Sequence, residues 1–423
     1  MVKIEPFEVE QWMDRLETTP GVLNIAETCA ASVSVADLVD MCEDKTLPNP
    51  LSSSTKLTYG AIRGSEELRR RVASLLDRDS EIAPLPAENV IITQGAIAAN
   101  FLLFYTLVGP GDHVICVYPT YQQLYAVPES LGAEVSLWKL KATEENGYVL
   151  DLSELEGLVK ENTKIIVINN PNNPMGCAIP KKTLQGIVDF ARQRDIIVFA
   201  DEVYNPLYHS LPSGQNAPPS ILTLGYEKSV ATGSMSKAFS LAGIRTGWVA
   251  SCDKGIIEAV AAARDYTTIS VSQLDDQVAS YALSEPVLRP LLKRNSILAR
   301  TNLALLSAFV EKYSSVCSWV KPTAGTTTLI EFRKKGVPVD DPSFVMDVLD
   351  KTKVLFMPAS PCFGQGKDFR GSVRIGYVSE TEVLQEALEK LGRYVEEHLL
   401  QGCQYSVSGD RVPRSVTEGG ITL

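Results

Sequence analysis

The sequence is poor in histidine, with only His113, His209 and His398 among 423 residues, and its eight cysteines stand singly without a C-x-x-C pair. That removes the usual ligand clusters for zinc and the framework of a disulfide-built secreted domain, so no metal is expected. None of the three histidines lies in a nucleophile-elbow or metal-ligand context, which leaves Ser-His-Asp hydrolysis without support. Basic charge is in deficit too. Forty Lys and Arg against 51 Asp and Glu give a net charge of −11, and an acidic surface repels phosphate backbones and anionic lipid. Nucleic acid and membranes are therefore not expected partners. No apolar run approaches the length of a bilayer span, and the opening MVKIEPFEVEQWMDRLETTPG has no basic stretch followed by an apolar one, so the chain reads as cytoplasmic. Internal repeats and low-complexity tracts are likewise missing.

What is present is the composition of an ordinary globular protein, 45% hydrophobic and 22% charged, in a chain too long for one hydrophobic core. From about Lys56 onward helical periodicity alternates with short β-rich apolar runs. The candidate strands are Asn89–Thr93, His113–Val117, Val135–Leu140, Lys164–Asn169, Ile196–Asp201, Ser229–Thr232 and Gly247–Ser251. Between them lie helical stretches at Ser65–Leu76, Gly95–Leu107 and Lys182–Arg194. Continuous apolar strands separated by helices predict an α/β fold, a doubly wound, mostly parallel sheet covered on both faces. After Gly255 come long helical patterns through Leu283 and from Val287 to Tyr313, then strands in TTTLIEF, KVLFMPA and SVRIGY, and an amphipathic helix over Glu380–Leu400. The expected division is a large domain over residues 51–285, a smaller α+β domain over 286–401 with residues 1–50 packed beside it, and a disordered tail over 402–423.

The chemistry concentrates in S-M-S-K-A-F-S-L-A-G-I-R-T-G-W, Ser234 to Trp248. It follows a predicted strand, so its polar residues fall where open α/β sheets bind ligands, beyond the carboxyl ends of the strands. A lysine there, Lys237, flanked by hydroxyls and followed by Arg245, suits a Schiff base with a phosphate held alongside. Taken alone, the string is equally a surface lysine with an ion-pair partner. Two further strings, N-N-P-N-N-P-M-G (Asn169–Gly176) and A-D-E-V-Y (Ala200–Tyr204), end apolar strand candidates and so share the same sheet edge.

With these motifs in this order, from about Thr58 to Tyr377, the chain resembles the fold-type I enzymes of pyridoxal 5'-phosphate and, within them, the class I/II aminotransferases. The resemblance implies that Lys237 forms the Schiff base and later moves the proton at the substrate's α-carbon. Asp201 matches the aspartate facing the pyridine nitrogen, and a carboxylate there keeps the ring protonated and electron-withdrawing. Asn173 and Tyr204 match the donors to the cofactor's phenolate oxygen, and Tyr121 the aromatic stacked on the ring. Gly95 and Ala96, opening a helix, join Ser234, Ser236 and Arg245 as the phosphate cup. Tyr59 matches a tyrosine that reaches the phosphate of the neighbouring subunit, which implies a homodimer with shared sites. Arg374, in S-V-R-I-G-Y, matches the arginine that forks the substrate's α-carboxylate. The implied reaction carries an amino group from an amino acid to a 2-oxo acid. A regulator built on the same fold would be expected to have lost Lys237, Asp201 or Arg245.

Two departures from the family pattern stand out. Met175-Gly176 replaces the usual Thr-Gly, and L-N-I-A-E-T-C-A-A-S-V-S (Leu23–Ser34) replaces a glycine-rich segment over the substrate. Glu27 falls there as a candidate substrate-binding residue, equally readable as a structural cap. With R-D-Y-T-T-I-S (Arg264–Ser270), this segment is similar to a sub-branch that includes arginine-oxidising enzymes, which pass electrons to O₂; that chemistry, or another reaction of the same cofactor such as elimination or decarboxylation, is the alternative to transamination.

Overall fold

A computed structural model describes residues 3–52, 54–78, 84–143 and 147–400; the expected tail lies outside them. Seven strands form the main sheet: β1 Val90–Thr93, β2 His113–Tyr118, β3 Glu134–Lys139, β4 Thr163–Asn169, β5 Ile197–Asp201, β6 Ser229–Ser234 and β7 Gly247–Ser251. Their order is β1-β7-β6-β5-β4-β2-β3, with β7 alone running antiparallel to its neighbours.

The apolar strands are buried on both faces because alternate residues feed two different cores. Ile115, Val117, Ile166, Ile168, Val198 and Ala200 join one, which also takes Leu68 and Val72 of helix Glu66–Leu76 and Leu184, Ile187 and Val188 of helix Lys181–Gln193. Val114, Cys116, Ile165, Val167 and Phe199 join the other, with Leu102 and Leu103 of helix Gly95–Leu107 and Ile257 and Val260 of helix Lys254–Arg264. Each such aliphatic side chain contributes roughly 1.5–3 kcal/mol by leaving water.

A second sheet, Cys317–Trp319, Thr327–Lys334, Ser372–Gly376 and Met357–Pro358, is antiparallel and packs with helices Asp341–Thr352 and Thr381–His398 on a third core. The stretch KVLFMPA, expected as one strand, is two: Val354–Leu355 pairs with Leu23–Asn24, and Met357–Pro358 pairs with Ser372–Gly376. Phe356 is where the chain passes from one sheet to the other. The long helix spans Glu285–Lys312 and belongs to both halves, with Val287 and Leu291 in the large-sheet core and Ala299, Leu303 and Leu306 in the third. The first fifty residues are likewise split. Val9, Trp12, Met13 and Leu16 of helix Glu8–Leu16 join the third core, whereas Leu38 and Cys42 join the large-sheet core, a difference from the expected packing with the small domain alone. No helix among the described residues is long and apolar enough to cross a membrane.

Candidate active site

Because β1, β4, β5 and β6 run the same way and β7 the opposite way, Thr93, Asn169, Asp201, Ser234 and Gly247 meet at one edge. Gly247 is in register with both Thr93 and Ser234, Asp201 with both Asn169 and Thr232. Over that edge lies a cavity of about 510 Å³. Ala96, Tyr121, Asn173, Asp201, Tyr204, Ser234, Ser236, Lys237, Arg245, Arg374 and Glu27 all line it, so the structure brings together every candidate but two. Gly95 sits just behind Ala96. Tyr59 stands apart, 82% exposed, on a separate depression with Gly60, Arg71 and Gln277.

One end of the cavity is built for an anion. Gly95 has φ +76°, and a Cβ there would meet Arg245 Nη2 at 2.9 Å. A Cβ on Gly247 would strike Gly95 C at 2.4 Å and Ala96 N at 2.6 Å. The two glycines thus let the amino end of helix Gly95–Leu107 lie against the sheet edge beside Arg245. Arg245 Nη1 donates to Ser236 Oγ (3.3 Å) and to Ala242 O (2.9 Å); Ser234 Oγ donates to Ser236 Oγ (2.8 Å). Free helix N–H groups, two hydroxyls and a guanidinium are a set of donors suited to a phosphate.

Deeper in the cavity lies Asp201, 3% exposed, whose carboxylate accepts from Asn100 Nδ2 (2.8 Å) and from Val203 N (3.1 Å). Burial pushes its pKa up to about 6, against the pull of those two donors and of Lys237. An acid held by neutral donors in a dry site is one that gains from a cationic N–H opposite it. Asn100 is itself fixed by Thr232, whose Oγ1 donates to Asn100 Oδ1 at 2.7 Å. The sequence reading had missed Asn100; its signal is a polar residue inside the otherwise apolar helix GAIAANFLLFYTL.

Lys237 Nζ donates to Thr28 Oγ1 (2.5 Å) and to Cys29 Sγ (3.5 Å) and lies 3.6 Å from Glu27 Oε1. Burial alone would favour the neutral amine, but Cys29 and Glu27 outweigh it and hold the ammonium above lysine's usual range. Glu27 answers the same pairing: burial would raise its pKa, yet Lys237 and the backbone N–H groups of Thr28 and Cys29 bring it to about 2. Thr28 and Cys29 belong to the segment expected over the substrate; their contact with Lys237 itself arises only because folding carries residues 26–31 across to it. That segment is pinned by Ala30 N to Lys237 O (3.3 Å), Ala31 N to Val378 O (2.7 Å) and Thr326 Oγ1 to Thr28 O (2.6 Å). Gly376 is what lets it pass, because a Cβ there would lie 1.6 Å from Glu27 O.

Arg374 is 2% exposed; Nη2 donates to Ala26 O (2.7 Å), Nη1 to Asn173 Oδ1 (3.4 Å), and Nε has no partner among the described residues. A buried guanidinium with donors to spare is a carboxylate anchor in waiting. Asn173 is set by the turn after β4, its N–H donating to Asn169 Oδ1 at 2.7 Å. Tyr121 OH donates to Glu10 Oε1 (2.8 Å), and its ring lies 4.8 Å from that of Phe7. Phe7 and Glu10 also line the cavity, so helix Glu8–Leu16 forms one wall of it.

Phosphate cup, buried acid, amine and carboxylate anchor together fit pyridoxal 5'-phosphate with an amino acid beside it. Comparison with known proteins agrees. Residues 40–391 match the family model described as aminotransferase class I and II. The crystal structure of a PLP-dependent aminotransferase from Streptococcus suis superposes with a TM-score of 0.82 at 34% identity, covering 94% of this chain and 99% of its own. An aspartate aminotransferase of Sulfolobus acidocaldarius is 26% identical over 346 residues, 80% of this chain and 82% of its own. An arginine–pyruvate transaminase of Pseudomonas aeruginosa is 28% identical over 347 residues, 81% and 84% of the two chains.

Proposed function

We propose, from the premise that the chain belongs to the class I and II aminotransferase family and is a pyridoxal 5'-phosphate-dependent aminotransferase, that Lys237, Asp201 and Arg374 divide the work in this one cavity. The cofactor, when bound, supplies an aldehyde for the amino group and a ring that draws electrons from the α-carbon. Lys237 is the amine that would meet that aldehyde and would move the proton at the substrate's α-carbon. Asp201 would hold a proton on the ring nitrogen, with Asn100 keeping the carboxylate aimed. Asn173 and Tyr204 would donate to the ring oxygen, Tyr121 would lie against the ring, and Ala96, Ser234, Ser236 and Arg245 would hold the phosphate. Arg374 forks the α-carboxylate, which orients the substrate and excludes water from its own buried side chain. The observation that carries this reading is the convergence of a buried acid, a lysine amine and an under-partnered arginine on one cavity at the sheet edge.

The working unit in this reading is a homodimer. Ile97, Phe101, Tyr105 and Tyr266 are exposed and line a depression that shares Ile97 and Arg245 with the catalytic cavity. An apolar surface of that kind beside a site calls for a partner, and exposed Tyr59 is then free to serve the neighbouring cavity. The setting is cytoplasmic, supported by the seven described cysteines all being unpaired.

Transamination is favoured over oxygen-dependent oxidation by the names of the relatives, which lend the oxidase alternative nothing. One experiment tests it: single turnover of the holoenzyme with an amino acid and no oxo acid, followed by absorbance and an oxygen electrode. The spectrum should change once and stop, and a 2-oxo acid should restore it. Steady oxygen uptake over many turnovers would overturn the assignment.

A further inference from the structure

One of the three histidines is enclosed where three pieces of the chain meet beside Tyr204. His209, 4% exposed, stands on the turn that follows β5. Its Nε2 lies 2.8 Å from the hydroxyl of buried Tyr377 and 3.2 Å from Gly325 O, and its Nδ1 lies 2.9 Å from Ser210 Oγ. A carbonyl can only accept, so Nε2 carries the hydrogen and Nδ1 accepts from Ser210. Burial lowers the pKa to about 4 against the pull of Gly325 O, and the charged neighbour is Arg300, whose Nε donates to His209 O at 2.8 Å. The ring is therefore neutral at neutral pH. The proposed reaction gives this imidazole no part.

What the imidazole holds is the turn Thr323–Thr326. Gly325 N donates to Leu207 O (2.9 Å) and Ser210 N to Thr323 O (3.0 Å), while Thr323 N and Ala324 N both donate to Gly176 O (2.8 and 3.0 Å). Thr326 O accepts from Tyr377 N at 2.9 Å, which closes the arrangement from the smaller sheet. Gly325 has φ +67°, and a Cβ on it would lie 3.6 Å from Pro171 Cβ and 3.7 Å from the Tyr204 ring. The turn is thus seated against both strings that carry the donors assigned to the cofactor's ring oxygen, Pro171–Gly176 with Asn173 and Tyr204–Leu207 with Tyr204.

We infer that His209, together with the hydroxyl of Tyr377, is a positioning residue for Asn173 and Tyr204: by holding Gly325 O it keeps the Thr323–Thr326 turn against both and so fixes their aim at the ring oxygen. The inference rests on the aminotransferase reading of this cavity. Without the imidazole, Gly325 O loses its partner in a buried place, where an unpaired carbonyl is costly, and the turn draws away to find another. Tyr204 and Asn173 then lose their backing, and hydrogen bonds weaken steeply as distance and angle worsen. Donors aimed at that oxygen favour its ionised form. With weaker donors the oxygen attracts the neighbouring proton more strongly, so the bound cofactor should give up that proton at higher pH.

The test is a pH titration of the visible absorbance of the purified holoenzyme, with circular dichroism of the same samples to check the fold. His209→Leu should raise the midpoint by about one pH unit, and Tyr377→Phe, which removes one hydroxyl and keeps the ring, by about half as much. His209→Gln, whose amide nitrogen can reach the place of Nε2, should keep the native midpoint. Tyr204→Phe serves as the reference and should raise it at least as far as His209→Leu. If His209→Leu does not fold, Tyr377→Phe decides. A midpoint that moves in Tyr204→Phe but in neither His209→Leu nor Tyr377→Phe would overturn the inference and leave the reading of the cavity intact. A midpoint unmoved in every variant, Tyr204→Phe included, would remove the ring-oxygen assignment and the inference with it. Equal shifts in His209→Gln and His209→Leu would show that the ring nitrogen is not the link, and would also overturn it.

Discussion

The two walls of the cavity are held in place by different means. One hangs on the ends of five sheet strands, where Thr93, Asn169, Asp201, Ser234 and Gly247 are locked by ladder register. The other is a two-residue strand, Leu23–Asn24, the chain on to Ala31 and helix Glu8–Leu16, which pack on the third core through Val9, Trp12, Met13, Leu16, Ile25 and Ala26 and pass Gly376 with no room for a side chain there. The sheet wall carries the groups that every reaction of this cofactor needs. The amino-terminal wall carries Glu10, Glu17, Glu27 and Phe7, which differ in kind from a phosphate cup. A frame locked by strand register keeps the chemistry, and a cover packed on a separate core is where substrate choice is able to change without disturbing it.

Substitutions on the sheet wall should therefore cost turnover, and those on the cover should cost discrimination. The largest effect expected is at Asp201. Asp201→Ala should lower kcat on the order of 10²-fold or more with the circular-dichroism spectrum retained; a near-native rate would show that another acid serves the ring nitrogen. Arg374 comes next, reaching both walls through Asn173 and Ala26. Arg374→Ala should raise KM about 100-fold for every amino acid while cofactor affinity changes little, and Arg374→Lys should not restore it. An unchanged KM would move the carboxylate anchor elsewhere.

A third expectation concerns the protein freed of cofactor. Burial raises Asp201 from 3.8 to about 6 and Glu202, itself held by Ile221 N, Asn205 and Ser220, from 4.5 to about 7. Between those unfolded and folded values the folded state binds more protons, so stability should fall as pH rises from about 4 to about 7 and level off above. Asp201→Asn should remove about 3 kcal/mol of that fall, the equivalent of its shift, and denaturant titrations across the range would show it. A fall of undiminished size in the variant would mean that Asp201 is not the titrating group. The smallest effect is on the cover. Gly376→Ala forces a Cβ onto Glu27 O and should lower stability by about 1–3 kcal/mol and speed hydrogen exchange at amides 26–31, with β4 to β6 unaffected. Equal loosening of both walls would erase the contrast between them.

Much of the sheet wall was legible in the sequence because its residues sit at strand ends, and strand ends follow from apolar runs. Helix Gly95–Leu107 and strand Gly247–Ser251 fall where periodicity put them, and the motifs around Asn173, Asp201 and Lys237 did the rest. The cover was legible only in part: Leu23–Ser34 and Glu27 could be set over the substrate, helix Glu8–Leu16 could not. Glu10 meets Tyr121 across 111 residues, and Lys237 meets Thr28 across 209, contacts that no local pattern announces. Asn100 lies in an otherwise apolar helix, and its amide reaches Asp201 across 101 residues. KVLFMPA carries the pattern of one strand, and its split at Phe356 depends on Leu23–Asn24 arriving as a partner for one half. The helix Glu285–Lys312 serves two cores because it is long enough to reach both, a property of packing and not of composition.

The central claim is that Lys237 holds the cofactor at the meeting point of the two walls, and borohydride reduction of the purified holoenzyme followed by peptide mapping tests it most directly. The account predicts one reduced adduct, on the peptide containing Lys237, and none in Lys237→Ala even though that variant still binds pyridoxal 5'-phosphate through Ser234, Ser236 and Arg245. An adduct on any other lysine, or an undiminished one in the variant, would contradict it.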